Sequence, residues 1–342
     1  MSETAFVALA GTAKILLVWG AVLAGLLPIL VWVERRGAGL IQDRPGPNRV
    51  GPFGLFQSLA DVVKFFMKED FTPQYVDRLL YNAAPLVMMV PSITTFAVIP
   101  FGSSVHLFGH DIPLVIADVN IGILYVFALT SIGVYGIVLA GWASNDKFSV
   151  MGGIRASAQI ISYELAMGLS ALAVFLAAGS LRLTQVVEYQ RSHLWNCIPQ
   201  IVGCLIFIIS AFAETNRLPF DMAEAEAELV AGYHTEYSAF KFAMFFMGEY
   251  ANLVAASAMI ATLYFGGWSL PWVHLGGIAG ALLSVVVFAV KTLFFVWVFV
   301  WVRWTLPRFR YDQLMNLGWK VFLPVSLLNL LFVAALVTAG WI

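Results

Sequence analysis

Apolar residues in this chain gather into long runs broken by short polar segments. A helix that crosses a bilayer needs about 20 mostly apolar residues. Eight runs approach that length, at roughly 13–33, 79–101, 115–141, 157–179, 196–213, 238–265, 277–302 and 320–341. One further segment carries a different signal. Leu55, Leu59, Val62, Val63 and Phe66 recur at helical spacing while Gln57, Asp61, Lys64 and Lys68 take the other faces. Too short and too charged to span, residues 55–68 predict an amphipathic helix lying in the interface plane. The segment leading into it holds Pro45, Gly46, Pro47, Gly51 and Pro52 and reads as loop. The pattern predicts an all-α integral membrane protein. It has eight transmembrane helices, one in-plane helix and an acidic cytoplasmic loop, all within a single membrane domain over 1–342. No internal repeat is visible in the order of these segments, which weighs against an inverted-repeat transporter.

Composition sharpens this picture. Of 342 residues, 61% are hydrophobic and 11% charged, against roughly 25% charged in soluble domains. A net charge of −1 leaves no nucleic-acid footprint. Fifteen of the nineteen Lys and Arg residues fall on one side of the eight spans; Lys14, Arg182, Arg191 and the mid-span Lys291 are the exceptions. The positive-inside bias places that side in the cytoplasm or matrix, with both termini opposite. Cys197 and Cys204 would sit about 10 Å apart on a helix, too far for a disulfide, and read as packing residues. His106, His110 and Asp111 share a loop, but a third metal ligand is not evident there.

The chemistry concentrates in residues 211–250, which hold Glu214, Asp221, Glu224, Glu226, Glu228, Glu236 and Glu249. Inside the apolar runs lie Glu164, Glu249 and Lys291, with Glu214 at the end of one. An ionisable group in a span costs about 2.5–3.5 kcal/mol on insertion scales, so it lines a cavity or has a partner. One such residue reads as packing. Two glutamates on separate spans, with loop acids beside them, read as a polar path able to exchange protons. Were 222–231 helical, Glu224 and Glu228 would share a face and a proton.

Several strings are long enough to compare with known families. WVERRGAG, IQDRPGPNRVGPFGLFQSLADVVKFFMKED, GWASNDKFSVMGGIRASAQIISYE, AETNRLPFDMAEAEAELVAGYHTEYSAFKFAMFFMGEYAN and WVRWTLPRFRYDQLMNLGWK run in order through the whole chain. Together they closely resemble the family of membrane subunits that join the two arms of respiratory complex I, the proton-pumping NADH:quinone oxidoreductase. Bacterial and mitochondrial enzymes each carry a member of that family. The resemblance implies a multi-pass protein of the bacterial inner membrane, or of the mitochondrial inner membrane. It implies ubiquinone or menaquinone as substrate, with FMN and iron–sulfur clusters only in partner subunits and no metal here. The partners it implies are the peripheral quinone-site and iron–sulfur subunits, the small membrane subunits, the antiporter-like subunits and membrane lipid.

Carried over by position, Glu34, Arg35, Arg36, Gln42, Asp61, Phe65, Arg217 and Phe220 match the family's quinone tunnel and the loop beneath it. Glu164, Glu214, Asp221, Glu224, Glu226, Glu228 and Glu249 match its acidic relay toward the antiporter-like subunits, with Tyr163 and Tyr237 beside them. Competing readings are the membrane subunit of an energy-converting hydrogenase, a stand-alone proton or cation antiporter, and a passive scaffold.

Overall fold

The computed structural model describes residues 3–107, 110–270 and 277–340, with the side chains of 3–10, Leu107, Glu226 and Ala227 outside the description. Among the described residues its regular structure is helical except for one short antiparallel hairpin, β1 (Val105–Leu107) and β2 (His110–Ile112). In that hairpin His106 Nδ1 lies 2.8 Å from Asp111 Oδ1.

Among the described residues, seven helices are long and apolar enough to cross a membrane: α1 (Gly11–Ile41), α3 (Arg78–Ala97), α4 (Gly122–Ala143), α5 (Lys147–Ala178), α8 (Ala239–Tyr264), α9 (Gly277–Thr305) and α10 (Tyr311–Thr338). Between them lie the amphipathic α2 (Gln57–Met67), the short α6 (Leu183–Ser192) and α7 (Ile201–Glu214), which at 14 residues is shorter than the run 196–213 suggested. The residues before α7 are drawn into side-chain bonds instead of a helix. Asn196 Nδ2 donates to the Leu263 carbonyl at 2.9 Å, and Gln200 Nε2 donates to the Ala173 carbonyl at 3.3 Å.

Local sequence explains the irregularities. Both π-helical turns, Ala21–Leu26 in α1 and Leu317–Phe322 in α10, come just before a proline, Pro28 and Pro324. A proline ring clashes with the carbonyl four residues back. In each helix that carbonyl lies inside the widened turn, which gives it room. Asp77 and Asp146 start α3 and α5 as N-caps, each accepting from two backbone N–H groups.

α8 is the central helix, with 78% of its most apolar stretch buried, against 17% for α1. Between α7 and α8 the acidic loop folds back on α5. The fit there demands glycine. A Cβ on Gly152 would lie 2.8 Å from Gly232 Cα, and one on Gly232, whose φ is +61°, would meet the Ala223 carbonyl oxygen at 1.7 Å.

Candidate functional site

Four helices line a cavity of about 810 Å³: α1 through Leu27 and Val31, α2 through Phe65, α8 through Phe246 and Met247, and α9 through Arg303 and Trp304. Ser58 Oγ donates to the Pro28 carbonyl at 2.7 Å and pins α2 against α1. Most of the wall is apolar, and its polar groups are Glu34, Arg35, Asp61, Tyr237, Tyr250, Arg303 and Trp304 together with two lysines and two serines. Asp61 pairs with Arg35 and, at 3.2 Å, with Lys64. Burial works to raise the Asp61 pKa, but the bonds and charges of Arg35 and Lys64 outweigh it and hold the carboxyl below the usual range.

Glu34, 4% exposed, is the node at which α1, α8, α9 and the acidic loop meet. Arg217 Nη1 donates to its two oxygens at 2.9 and 3.1 Å, Tyr250 Oη donates at 2.7 Å, and Arg303 pairs with it as well. The Arg217 guanidinium also lies over the Tyr250 ring, 4.3 Å from its centroid. Burial alone would lower the Arg217 pKa, but the charges of Glu34, Tyr250 and Glu249 raise it above the ordinary value, so the arginine stays charged. Its Nε and Nη2 are buried without a hydrogen-bond partner.

On the far side of this node is a second, small cavity of about 20 Å³, lined by Thr130, Glu214, Asn216, Glu249 and Asn252 among others. That volume exceeds the ~10–15 Å³ one water needs, and the Asn252 carbonyl oxygen is buried there without a partner. Glu249 accepts from Tyr233 Oη at 3.1 Å. Burial first, then the negative charges of Glu249 and Glu224, push the Tyr233 phenol well above its usual pKa. Glu164 on α5 accepts from Ser131 on α4.

Other sequence-chosen residues have different surroundings. Arg36 lies outside the large cavity; it lines a separate cleft with Trp297 and Trp301. Exposed Gln42 accepts from Arg44 Nε at 2.7 Å. Phe220 stacks on Phe309 at 5.5 Å and packs against Tyr163. Asp221 pairs with Arg308 at 2.6 Å, tying the acidic loop to the segment that follows α9. Glu228 is half-exposed and pairs with Arg155 at 2.6 Å. The helix there is only Glu226–Leu229, and Ala225 ahead of it has φ +31°, so Glu224 and Glu228 do not share a helix face. The Glu226 side chain lies outside the described residues.

Lys291 is accounted for structurally. Its ammonium donates to the carbonyls of Phe265, Gly267 and Ser269 at 2.7, 3.0 and 2.7 Å and closes the end of α8. Sequence reasoning missed Tyr250, Arg303, Tyr233 and Asn252 as members of the site. Only Tyr250, adjacent to Glu249, carried a signal. It also missed His234, whose Nδ1 is buried without a partner. Burial lowers the His234 pKa to about 4 against the opposing pull of Asp221.

Residues 13–334 match the family model described as NADH dehydrogenase. The chain is 50% identical over 330 residues to an H-type subunit of the NADH-quinone oxidoreductase of Geobacter metallireducens, covering 96% of this chain and 95% of that one. It is 51% identical over 319 residues to the corresponding NADH-quinone oxidoreductase subunit of Salinibacter ruber, with 90% of each covered. It is 48% identical over 307 residues to that of Cytophaga hutchinsonii, with 89% and 90% covered.

Proposed function

The chain belongs to the NADH dehydrogenase family of NADH-quinone oxidoreductase membrane subunits, and on that premise we propose that its large cavity is the quinone entry tunnel and its buried carboxylates couple quinone reduction to proton translocation. The observation that carries this reading is the shared node between the two cavities. Glu34 and Tyr250 line the large one, Glu249 lines the small one, and Arg217 holds Glu34 while its charge acts on Glu249.

The chemistry follows from this arrangement. A quinone has an apolar isoprenoid tail and a polar head, so its route should be greasy at the membrane and charged toward the redox end. Leu27, Val31 and Phe246 supply the first property; Arg35, Asp61, Glu34 and Arg303 supply the second. Electrons reach the head from iron–sulfur clusters held by partner subunits, downstream of their FMN, and reduction brings negative charge and a demand for protons. That charge competes with Glu34 for Arg217 and Arg303. A guanidinium drawn toward the head weakens its pull on Glu249, and proton exchange at that carboxyl is the coupling step. Glu249, Glu214 and Glu164 are the relay members inside the helix bundle, and Glu224 acts on Glu249 and Tyr233 from the loop. Asp221 and Glu228, each bound to an arginine, hold the loop in place.

In this reading the subunit stands at the junction of the peripheral and membrane arms, in contact with the quinone-site and iron–sulfur subunits, the small membrane subunits and the antiporter-like subunits. The basic face of the chain is cytoplasmic, and with α7 crossing as the eighth span both termini are on the opposite side of the bacterial plasma membrane. The test is Glu249→Gln in the complete complex reconstituted in proteoliposomes. We expect NADH:quinone reductase activity to persist while the protons moved per NADH fall. Unchanged pumping would remove Glu249 from the relay.

A further inference from the structure

α1 separates the large cavity from a seam on its other face. Along that seam α1 lies beside α9 without closing on it, leaving two chambers in line. The outer one, about 760 Å³, is almost wholly apolar, with Leu17, Val22 and Leu26 facing Val285, Phe288 and Val296. The inner one, about 360 Å³, lies between Trp32, Arg36 and Ile41 on α1 and Trp297 and Trp301 on α9. Both volumes fall in the ~300–1,000 Å³ range of pockets that take small molecules.

Each end of the seam holds a cation. Lys14 lines the outer chamber and Arg36 the inner one, and neither is paired with a carboxylate among the described residues. At helical rise the stretch of α1 between them measures about 33 Å, close to the ~30 Å thickness of a bilayer's hydrocarbon core. That spacing suits one cation to each headgroup level. Arg36 spends Nη1 on the Phe53 carbonyl at 2.9 Å and stacks over Trp32 and Phe53. Trp297 and Trp301 pack as a tilted pair with ring centroids 5.0 Å apart, each half-exposed, at the depth where an interfacial aromatic belt is expected.

We propose that this seam is a binding site for an anionic glycerophospholipid of the leaflet on the basic side of the membrane. Its phosphate meets Arg36, its glycerol region lies against Trp297 and Trp301, and an acyl chain runs into the apolar chamber between α1 and α9. A guanidinium suits this role because it binds phosphate through paired N–H groups and is weakly hydrated. A partner's transmembrane helix, about 10–12 Å across, needs one continuous track, whereas this seam is divided into two separately lined chambers. The quinone is served from the other face of α1, where Arg35 and Leu27 point. The site thus stands whether or not the tunnel assignment does.

The experiment uses the complete complex in phosphatidylcholine nanodiscs doped with phosphatidylglycerol that carries a diazirine in its acyl chain. After irradiation, labelled peptides should map to α1 and to the 285–301 stretch of α9. Arg36→Gln should lower labelling by the phosphatidylglycerol probe about fivefold and leave a phosphatidylcholine probe unchanged. Arg36→Lys, which keeps the charge, should retain most of the labelling and so separates loss of the site from loss of the fold. Three results would each overturn the proposal: labelling insensitive to Arg36→Gln, cross-links from the seam to a partner subunit's helix without lipid labelling, and displacement of the probe by added long-tailed quinone.

Discussion

Replacing Arg217 with Gln tests the node on which the coupling argument rests. Both partners are nearly inaccessible, each 4% exposed, and the guanidinium meets both oxygens of Glu34. Breaking a buried pair from one side leaves an uncompensated charge and costs about 3–5 kcal/mol. Arg303 and Tyr250 still hold Glu34 in the variant, so the lower end, about 3 kcal/mol, is the expected figure. At roughly 1.4 kcal/mol per decade, that is a hundredfold change or more in the folded-to-unfolded ratio. The assay is the half-life of the complete complex during thermal inactivation, which the unfolding barrier governs. If the pair forms after the transition state, most of the loss appears as faster inactivation. The double variant Glu34→Leu with Arg217→Met removes both charges and should recover at least half of the loss. Wild-type inactivation in Arg217→Gln, or a double variant as poor as the two singles added together, would refute the node.

Other expectations follow from the same structure. His234 has a folded pKa of about 4 against about 6.5 in an unfolded chain. As pH falls from about 6.5 to about 4, the unfolded state therefore binds a proton that the folded state refuses, and stability declines; His234→Phe should flatten that decline in a pH series of thermal melts. Gly232→Ala adds an atom 1.7 Å from the Ala223 carbonyl oxygen in a left-handed conformation, and should abolish recovery of the assembled subunit in membranes. Lys291→Met strips three carbonyls of their donor and should cost on the order of 3 kcal/mol, read by thermal inactivation. Ala243→Trp fills part of the large cavity and should raise the KM for quinone about tenfold, leaving NADH oxidation by a soluble acceptor unchanged.

Much of the architecture was legible because a bilayer imposes length and polarity so strictly. Runs of apolar residues mark the spans, and the period of Leu55, Leu59, Val62 and Phe66 marks the helix that lies flat. α7 was overextended, because the bonds of Asn196 and Gln200 to Leu263 and Ala173 join segments far apart in sequence. The acids were visible as a set, but their directions were not. Successive residues on a helix point about 100° apart, so Arg35 enters the large cavity while Arg36 lines the tryptophan cleft. The same rotation sends Glu249 to the small cavity and Tyr250 to the large one. Arg303 joins Glu34 across 269 positions, and no local pattern announces such a contact. Glu228 meets Arg155 because Ala225 turns the chain before the helix begins.

The most direct measurement is the position of the quinone in the assembled complex, seen by electron cryomicroscopy with a long-tailed quinone bound in nanodiscs. We predict density for the tail between Leu27, Phe65 and Phe246, with the head directed toward Glu34, Arg35 and Arg303. A quinone that reaches its reduction site by another route, with this cavity filled by a partner's side chains, would contradict the account.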